Sequence, residues 1–356
     1  MLRRLRSAPT PLLGIADAAL AGVLAVTGTV RRSAVPRAID RTIALTVVDR
    51  RIVAHDHNVV ALTLAARDRG ELPAWHPGAH LDIRLPSGRV RQYSLCGEPA
   101  LRDTYRIAVR RIPGGGGGSV EVHDTLNVGT AVTTSGPRNA FPLSIPGYGS
   151  PAQRLRFIAG GIGITPILPM LDLADRLGVE WSMIYTGRSL ESIPFLDDVR
   201  RFGPRAIIRT DDVGGLPTAD ELLGQCRSGT TVYACGPAPL LSCVRDRLIG
   251  RDDVQLHFER FAAAPVIDGA AFTVRTASGG YADVGADETL LAALQRVGVD
   301  PPYSCRQGFC GACRTRVLDG AVEHRDALLT DAEHDAGMML TCVSRAPAGE
   351  HLTLEL

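Results

Sequence analysis

The sequence predicts a multidomain chain of three modules behind a basic arm. An antiparallel β-barrel is expected over residues 42–146, an α/β unit with a parallel sheet over 152–262, and a smaller α+β module over 268–356, after an arm at 1–41. Three observations carry this. Short alternating apolar–polar runs fill the first segment, strand and helix patterns alternate in the second, and cysteines cluster in the third. A chain of 356 residues is long enough for several cores. The net charge of +1 gives no electrostatic case for nucleic acid.

Charge is uneven along the chain. The last module carries 7 Arg against 13 Asp and Glu, whereas the arm carries 7 Arg against 2 acidic residues. The acidic surface suits either docking or plain solvation. Asp319, Glu323 and Asp326 follow the cysteine loop and are candidates for a face that meets a basic partner. All 39 basic residues are arginine, as GC-rich coding would produce.

The arm, "MLRRLRSAPTPLLGIADAALAGVLAVTGTVRR", has the order of a signal peptide: arginines, an apolar run, small residues. Asp17 and several Gly and Thr make it weakly hydrophobic for a spanning helix, which needs about 20 apolar residues. A helix from Pro11 to Thr27 packed on the body is expected, with membrane-surface or partner contact as the other reading. Export fits poorly, so the chain is expected to be cytoplasmic.

In the first module, "TIALTVVDRRIV", "NVVALTLAA", "HLDIRL", "RQYSL", "YRIAVRR" and "TAVTTSG" alternate in the manner of half-buried strands. "HPGAH", "LPSGR" and "PGGGGG" punctuate them. "IPGYGSP" reads as a linker. In the second module "LRFIAG", "VEWSMIYTG", "PRAIIRTDD" and "TTVYACGP" are strands, and "PILPMLDLADRLG" is a helix. That alternation implies βαβ units. After a second linker at 262–269, "AFTVRTASGGYADVG" reads as a hairpin and "ETLLAALQRVG" as an amphipathic helix.

Eight cysteines in a chain of this length are not a disulfide framework. Cys305, Cys310, Cys313 and Cys342 follow C-x4-C-x2-C-x28-C, the plant-type spacing for a [2Fe–2S] cluster. Gly308, Gly311 and Ala312 let the backbone wrap closely around sulfide. Structural zinc and free thiols are the alternatives, although zinc sites usually present two C-x2-C pairs.

Gly160, Gly161 and Gly163 stand between a strand and a helix, with Thr165 in the first turn. Such glycines let a pyrophosphate approach a helix N-terminus, or simply make a tight turn. Cys235, Gly236 and Pro237 end a later strand of the same sheet, so both loops can face one crevice. Arg188 stands where an acidic residue would hold a ribose 2′-OH; it suits a 2′-phosphate or only the ribose and pyrophosphate. In "RQYSLCG", Tyr93 can lie against a flat ring, Ser94 can bond a ring heteroatom, and Arg91 can meet a phosphate. The same segment also reads as an ordinary strand with a buried tyrosine. Gly118 and Ser119, in "PGGGGGSV", can bind an anion or form a flexible hairpin loop.

Taken in order, "RQYSLC", "GGSV", "PRNAFPL", "GGIGITPIL", "CGP", "HFERF" and the cysteine pattern resemble the phthalate dioxygenase reductase family, which includes vanillate demethylase reductases. The resemblance spans residues 42–356. It implies an FMN-binding barrel, an NAD-binding domain and a β-grasp ferredoxin domain. It implies that Arg91, Tyr93 and Ser94 hold the flavin, that Gly118 and Ser119 lie near its phosphate, that Cys235 lies near the nicotinamide and Phe261 near the flavin. "PRNAFPL" favours FMN over FAD, and NADH is expected with NADPH open. The arm and the arginine-free "GGGGGS" depart from the family's pattern. The implied reaction passes a hydride from NAD(P)H to flavin and single electrons to the cluster, with no acid–base side chain assigned. The implied partner is a Rieske-type oxygenase. A cytochrome P450, a membrane di-iron enzyme, or a role as a bare electron carrier or redox-sensing module are the alternatives.

Overall fold

A computed structural model of the chain describes residues 42–113, 117–145, 153–261, 266–303, 306–308, 311–326 and 328–356. The expected N-terminal helix, most of the first linker, half of the second, Cys305 and Cys310 lie outside the described residues.

Six antiparallel strands build the first sheet: β1 (Ile43–Ile52), β2 (Val59–Ala66), β3 (Ala79–Arg84), β4 (Val90–Ser94), β5 (Thr104–Arg110) and β6 (Ala131–Asn139). Their order is β4-β3-β6-β1-β2-β5, and a bridge between Leu95 and Ile107 joins the two edges into a barrel. Closure removes the exposed edges that an open sheet would present. Inward-facing Leu45, Val47, Leu62, Leu64, Leu81, Ile83 and Ile107 fill it. β2 is apolar on both faces for a reason. Val60, Leu62 and Leu64 face the barrel core, while Val59 and Ala61 join the core of the next unit. The glycine-rich segment does more than turn a hairpin, because helix α1 (Gly118–Thr125) follows it.

The second sheet is wholly parallel, in the order β11-β10-β7-β8-β9. It contains β7 (Arg154–Gly160), β8 (Trp181–Gly187), β9 (Ala206–Thr210), β10 (Thr230–Cys235) and β11 (Val254–Glu259), with α2 (Ile164–Arg176) and α3 (Ala238–Arg247) among its crossovers. β10 is buried along its whole length, as expected for a strand covered on both faces. The chain runs outward from β7 to β8 in one direction and to β10 in the other. That reversal opens a crevice at the carboxyl ends of β7 and β10.

The third sheet is mixed, ordered β13-β12-β16-β14-β15. Its strands are β12 (Phe272–Thr276), β13 (Tyr281–Val284), β14 (Arg314–Asp319), β15 (Met338–Leu340) and β16 (His351–Leu354). Helix α4 (Leu290–Arg296) packs Leu290, Ala293 and Leu294 into the core, and a short helix α5 (Asp331–Asp335) lies between β14 and β15. Among the described residues no helix is long and apolar enough to cross a membrane.

Arg345 staples this module. It is 1% exposed, and its guanidinium donates to the carbonyls of Ala270 (2.8 Å), Gly285 (2.8 Å) and Glu288 while lying over the Phe272 ring. Arg345→Met removes the donors and strands three inward-facing carbonyls. We expect a loss on the order of 3–5 kcal/mol, read as an early transition in a thermal melt followed by circular dichroism.

Candidate functional site

The two loops at the crevice interlock through missing side chains. A Cβ on Gly163 would stand 2.2 Å from the Cys235 carbonyl oxygen, and one on Gly160 would stand 2.6 Å from Pro237 Cδ. Gly236 meets the Gly160 backbone at 3.1 Å in the same way. At Gly161 φ is +54° and the Cβ position is open, so that residue serves the turn and leaves its surface clear. The first turn of α2 therefore starts at the crevice with its N–H groups facing outward from the strand ends. Thr165 supports this turn rather than facing the crevice: it is 2% exposed and its hydroxyl donates to the Ile162 carbonyl at 3.0 Å. Arg188 is exposed just beyond β8, and its carbonyl accepts the Asp212 N–H at 3.0 Å. Asp211 and Asp212 thus stand at the same rim, a pair that "RTDD" displayed in the sequence.

On the barrel, β4 presents Arg91 and Tyr93 on one face. The Tyr93 ring packs half-buried on the barrel core, and burial pushes its phenol up. Arg91 crosses the start of α1 so closely that a Cβ on Gly118 would stand 2.6 Å from its Nε. Arg89 lies near Gly117, whose φ of +77° turns the chain into the helix. No side chain caps α1. The Arg91 guanidinium beside an uncapped helix N-terminus suits an anionic group, while Arg89 is paired with Glu121 of the helix's first turn at 3.2 Å. Ser119 contributes by its backbone alone, because its hydroxyl accepts the Ile112 N–H at 3.1 Å.

Ser94 points the other way, into the seam between barrel and parallel sheet. It is 6% exposed and its hydroxyl donates to Glu259 Oε2 at 3.3 Å. Glu259 ends β11, paired in register with Cys235. Burial pushes the Glu259 carboxyl up to about 8, with the Ser94 hydrogen bond opposing the shift, so at neutral pH the acid is largely protonated. The Cys235 thiol is fully buried, and burial and then the nearby Glu259 push it far up. Sequence reading singled out Ser94 and Cys235 but missed Glu259, which looked like any acidic residue in "HFERF".

The next residue reaches the third module: the Arg260 carbonyl accepts the Gln307 side-chain N–H at 3.0 Å. Gln307 lies in the cysteine loop. Cys313 and Cys342 are each 2% exposed, in one apolar cluster with Leu291, Tyr303, Leu329 and Leu340. The Thr341 N–H bonds the Cys313 carbonyl at 3.3 Å, so the strand following Cys313 and the strand preceding Cys342 bring these two thiols to one place. A dry, thiol-bearing pocket beneath a loop with positive φ at Gly308 and Gly311 fits a cluster held by cysteine. Phe261 follows at the end of the segment and is 50% exposed. One docking expectation fails. The Asp326 carboxylate is wholly internal, accepting the Leu329 N–H at 2.9 Å, so it presents no charge to a partner.

Comparison with known proteins gives the same picture. A family profile described as a 2Fe-2S iron-sulfur cluster binding domain matches residues 277–347. Phenoxybenzoate dioxygenase subunit beta of Ectopseudomonas oleovorans is 38% identical, over 84% of this chain and 93% of that protein. The structure of phthalate dioxygenase reductase, described as modular for electron transfer from pyridine nucleotides to [2Fe-2S], is 32% identical. It covers 88% of this chain and 98% of its own, with a TM-score of 0.67. The structure of an intact type IV self-sufficient cytochrome P450 monooxygenase is 37% identical over 88% of this chain, which spans only 41% of it, with a TM-score of 0.69.

Glu259→Gln tests the seam. An acid at 4.5 when unfolded but near 8 when folded binds more protons in the native state between those values, so its burial costs stability as pH rises from 4.5 to 8. Thermal melts across that range should fall less steeply for Glu259→Gln than for the parent protein; parallel slopes would place the ionised carboxylate in water.

Proposed function

The chain belongs to the phthalate dioxygenase reductase family, as an NAD(P)H-dependent oxidoreductase component of an oxygenase system, and from that premise we propose how its own residues divide the work and which oxygenase it serves. The observation that carries the reading is the path through residues 259 and 260. Glu259 touches the barrel strand through Ser94, and Arg260 touches the cysteine loop through Gln307. Nucleotide loops, barrel site and cluster loop therefore meet at one segment.

Bound flavin accepts a hydride and releases electrons singly, which matches a two-electron donor to a one-electron cluster. In our reading, Arg91 and the start of α1 hold the flavin phosphate, with Gly118 kept small so that the guanidinium can cross it. Tyr93 supplies a flat wall. Ser94 offers a hydroxyl at the seam, and protonated Glu259 keeps that seam free of net charge at neutral pH. Gly160, Gly161, Gly163, Gly236 and Pro237 shape the crevice for the pyridine nucleotide, with Cys235 as its buried floor and Thr165 bracing the turn. Phe261, exposed beyond the seam, is available to cover the flavin. Cys305, Cys310, Cys313 and Cys342 ligate the [2Fe–2S] cluster.

We assign FMN rather than FAD. The "PRNAFPL" segment is committed to joining barrel and sheet: Phe141 packs on the Tyr233 ring at 5.5 Å, the Tyr233 hydroxyl donates to the Pro142 carbonyl at 3.3 Å, and the N–H of Ser144, the next residue, donates to that hydroxyl at 2.6 Å. We assign NADH because Asp211 and Asp212 put carboxylates at the rim beside Arg188, where a 2′-phosphate would be repelled. The oxygenase is of Rieske type in this reading, following the dioxygenase names among the relatives. The match to a cytochrome P450 monooxygenase favours a haem partner as the second reading.

Acid extraction should release FMN, identified by chromatography, and FAD would reject the assignment. The ratio of kcat/KM should favour NADH at least tenfold, about 1.4 kcal/mol. Cys313→Ser should lose cluster absorption and transfer to the oxygenase yet still reduce ferricyanide. The co-purified oxygenase should give a Rieske electron-paramagnetic signal; a Soret band would select the second reading.

A further inference from the structure

Between β14 and β15, the strands that flank the cysteine-bearing loops, the chain brings His324, Asp326 and His334 together. One ligand-type atom from each lies within 4.8 Å of the others. The His334 Nε2 stands 3.3 Å from Asp326 Oδ1, and the His324 Nδ1 stands 3.9 Å from the same oxygen. The two imidazoles stack face to face with centroids 3.7 Å apart. His324 Nδ1 is buried and has no hydrogen-bond partner among the described residues.

From these contacts the geometry points to a second metal site, for a divalent transition ion of the zinc type, held by His324, Asp326 and His334. Two neutral imidazoles and one carboxylate are an established donor set for such ions, and a fourth position stays open for water. Tetrahedral bonds of about 2.0–2.1 Å place neighbouring donor atoms about 3.3 Å apart. The His334–Asp326 pair has that separation already, and His324 reaches it by a ring rotation that also unstacks the two imidazoles, so that both in-plane lone pairs face the ion. An ion also gives the orphaned Nδ1 a partner, which a buried polar atom otherwise lacks at a cost.

The surroundings are those of a supported site. Asp326 Oδ2 accepts the N–H groups of Leu329 (2.9 Å) and Leu328 (3.3 Å), and the Ser344 hydroxyl donates to Oδ1 at 3.3 Å. Such contacts fix a ligating carboxylate in orientation. Both histidines line a groove of about 210 Å³ that opens to solvent between Val317 and Gly337, which gives an ion a way in. The site also reaches toward the iron–sulfur pocket. Leu329 packs in the cluster of residues that contains Cys313 and Cys342, and a Cβ on Gly311 would touch Leu328 Cδ2 at 3.0 Å. An ion at Asp326 would clamp the segment that covers the cysteines.

The test uses tag-free holoenzyme equilibrated with micromolar Zn2+ and then dialysed against metal-free buffer. Zinc and iron are counted by mass spectrometry in the parent protein, His324→Gln and His334→Gln. We expect about one more zinc per chain in the parent than in either variant, with iron unchanged. Zinc also raises the parent's melting temperature, an increment that both variants lose. If one variant sheds iron, the other carries the comparison. A parent that retains no zinc and shows no thermal shift, or one whose zinc content both variants match, overturns the site.

Discussion

The structure turns on the buried hydrogen bond between Ser94 and Glu259. It crosses the seam between two cores and joins residues 165 positions apart. A carboxyl in such a place is expensive when ionised, and it stays by holding its proton and a hydroxyl partner. The shared core of Val59, Ala61 and Phe141 with Tyr233 also joins barrel and sheet, but the link onward to the cysteine loop follows from where β11 delivers that residue. The strand pairs in parallel with β10, so its carboxyl end must arrive at the crevice beside Cys235. The next carbonyl then meets Gln307 of the cysteine loop. The segment "HFERF" is thus less a motif for one cofactor than a joint at which three sites are held in register.

The crevice depends on a second constraint, one of volume. Gly163 and Gly160 let the α2 turn close against the Cys235–Pro237 loop. Any side chain at Gly163 would meet a backbone carbonyl, which cannot rotate away. The two loops therefore cannot be repositioned separately, and the N-terminus of α2 is fixed relative to the strand that carries Glu259. On the barrel the same logic applies at Gly118, where the missing Cβ makes room for Arg91. In both places small residues bring charged or polar groups close to the phosphate positions proposed above.

Much of this was legible in the sequence because it rests on local patterns. Alternation along "HLDIRL" and "YRIAVRR" specifies half-buried strands, and the cysteine spacing specifies its metal chemistry without reference to the fold. What was not legible depends on distant partners. Glu259 gives no local sign that it will be buried against Ser94. Helix α1 hides in "GSVEVHDT", where β-branched residues and a glycine argue against a helix, and its place comes from Val122 packing into the barrel. Ser119 and Thr165 sit at the expected loops, yet their hydroxyls are turned to backbone groups of their own segments. Asp326 read as a surface charge because its ligands, two amide groups and His334, come from a turn that sequence alone does not fold.

That last difference changes how the acidic module presents itself. Some of its 13 acidic residues are paired or internal. Glu323 pairs with Arg325 at 2.7 Å, Glu333 with Arg314 at 3.0 Å, Asp319 with His351 at 3.1 Å, and Asp326 is internal. Exposed pairs of this kind are individually weak, and pairing within the module leaves its balance of 7 Arg against 13 acidic residues unchanged. What lies closest to that loop is apolar: Leu328 is 39% exposed beside Gly311. The acidic excess acts over the screening length, whereas a leucine exposed beside Gly311 acts only in contact, so the two features bear on different stages of any approach to the cysteine loop.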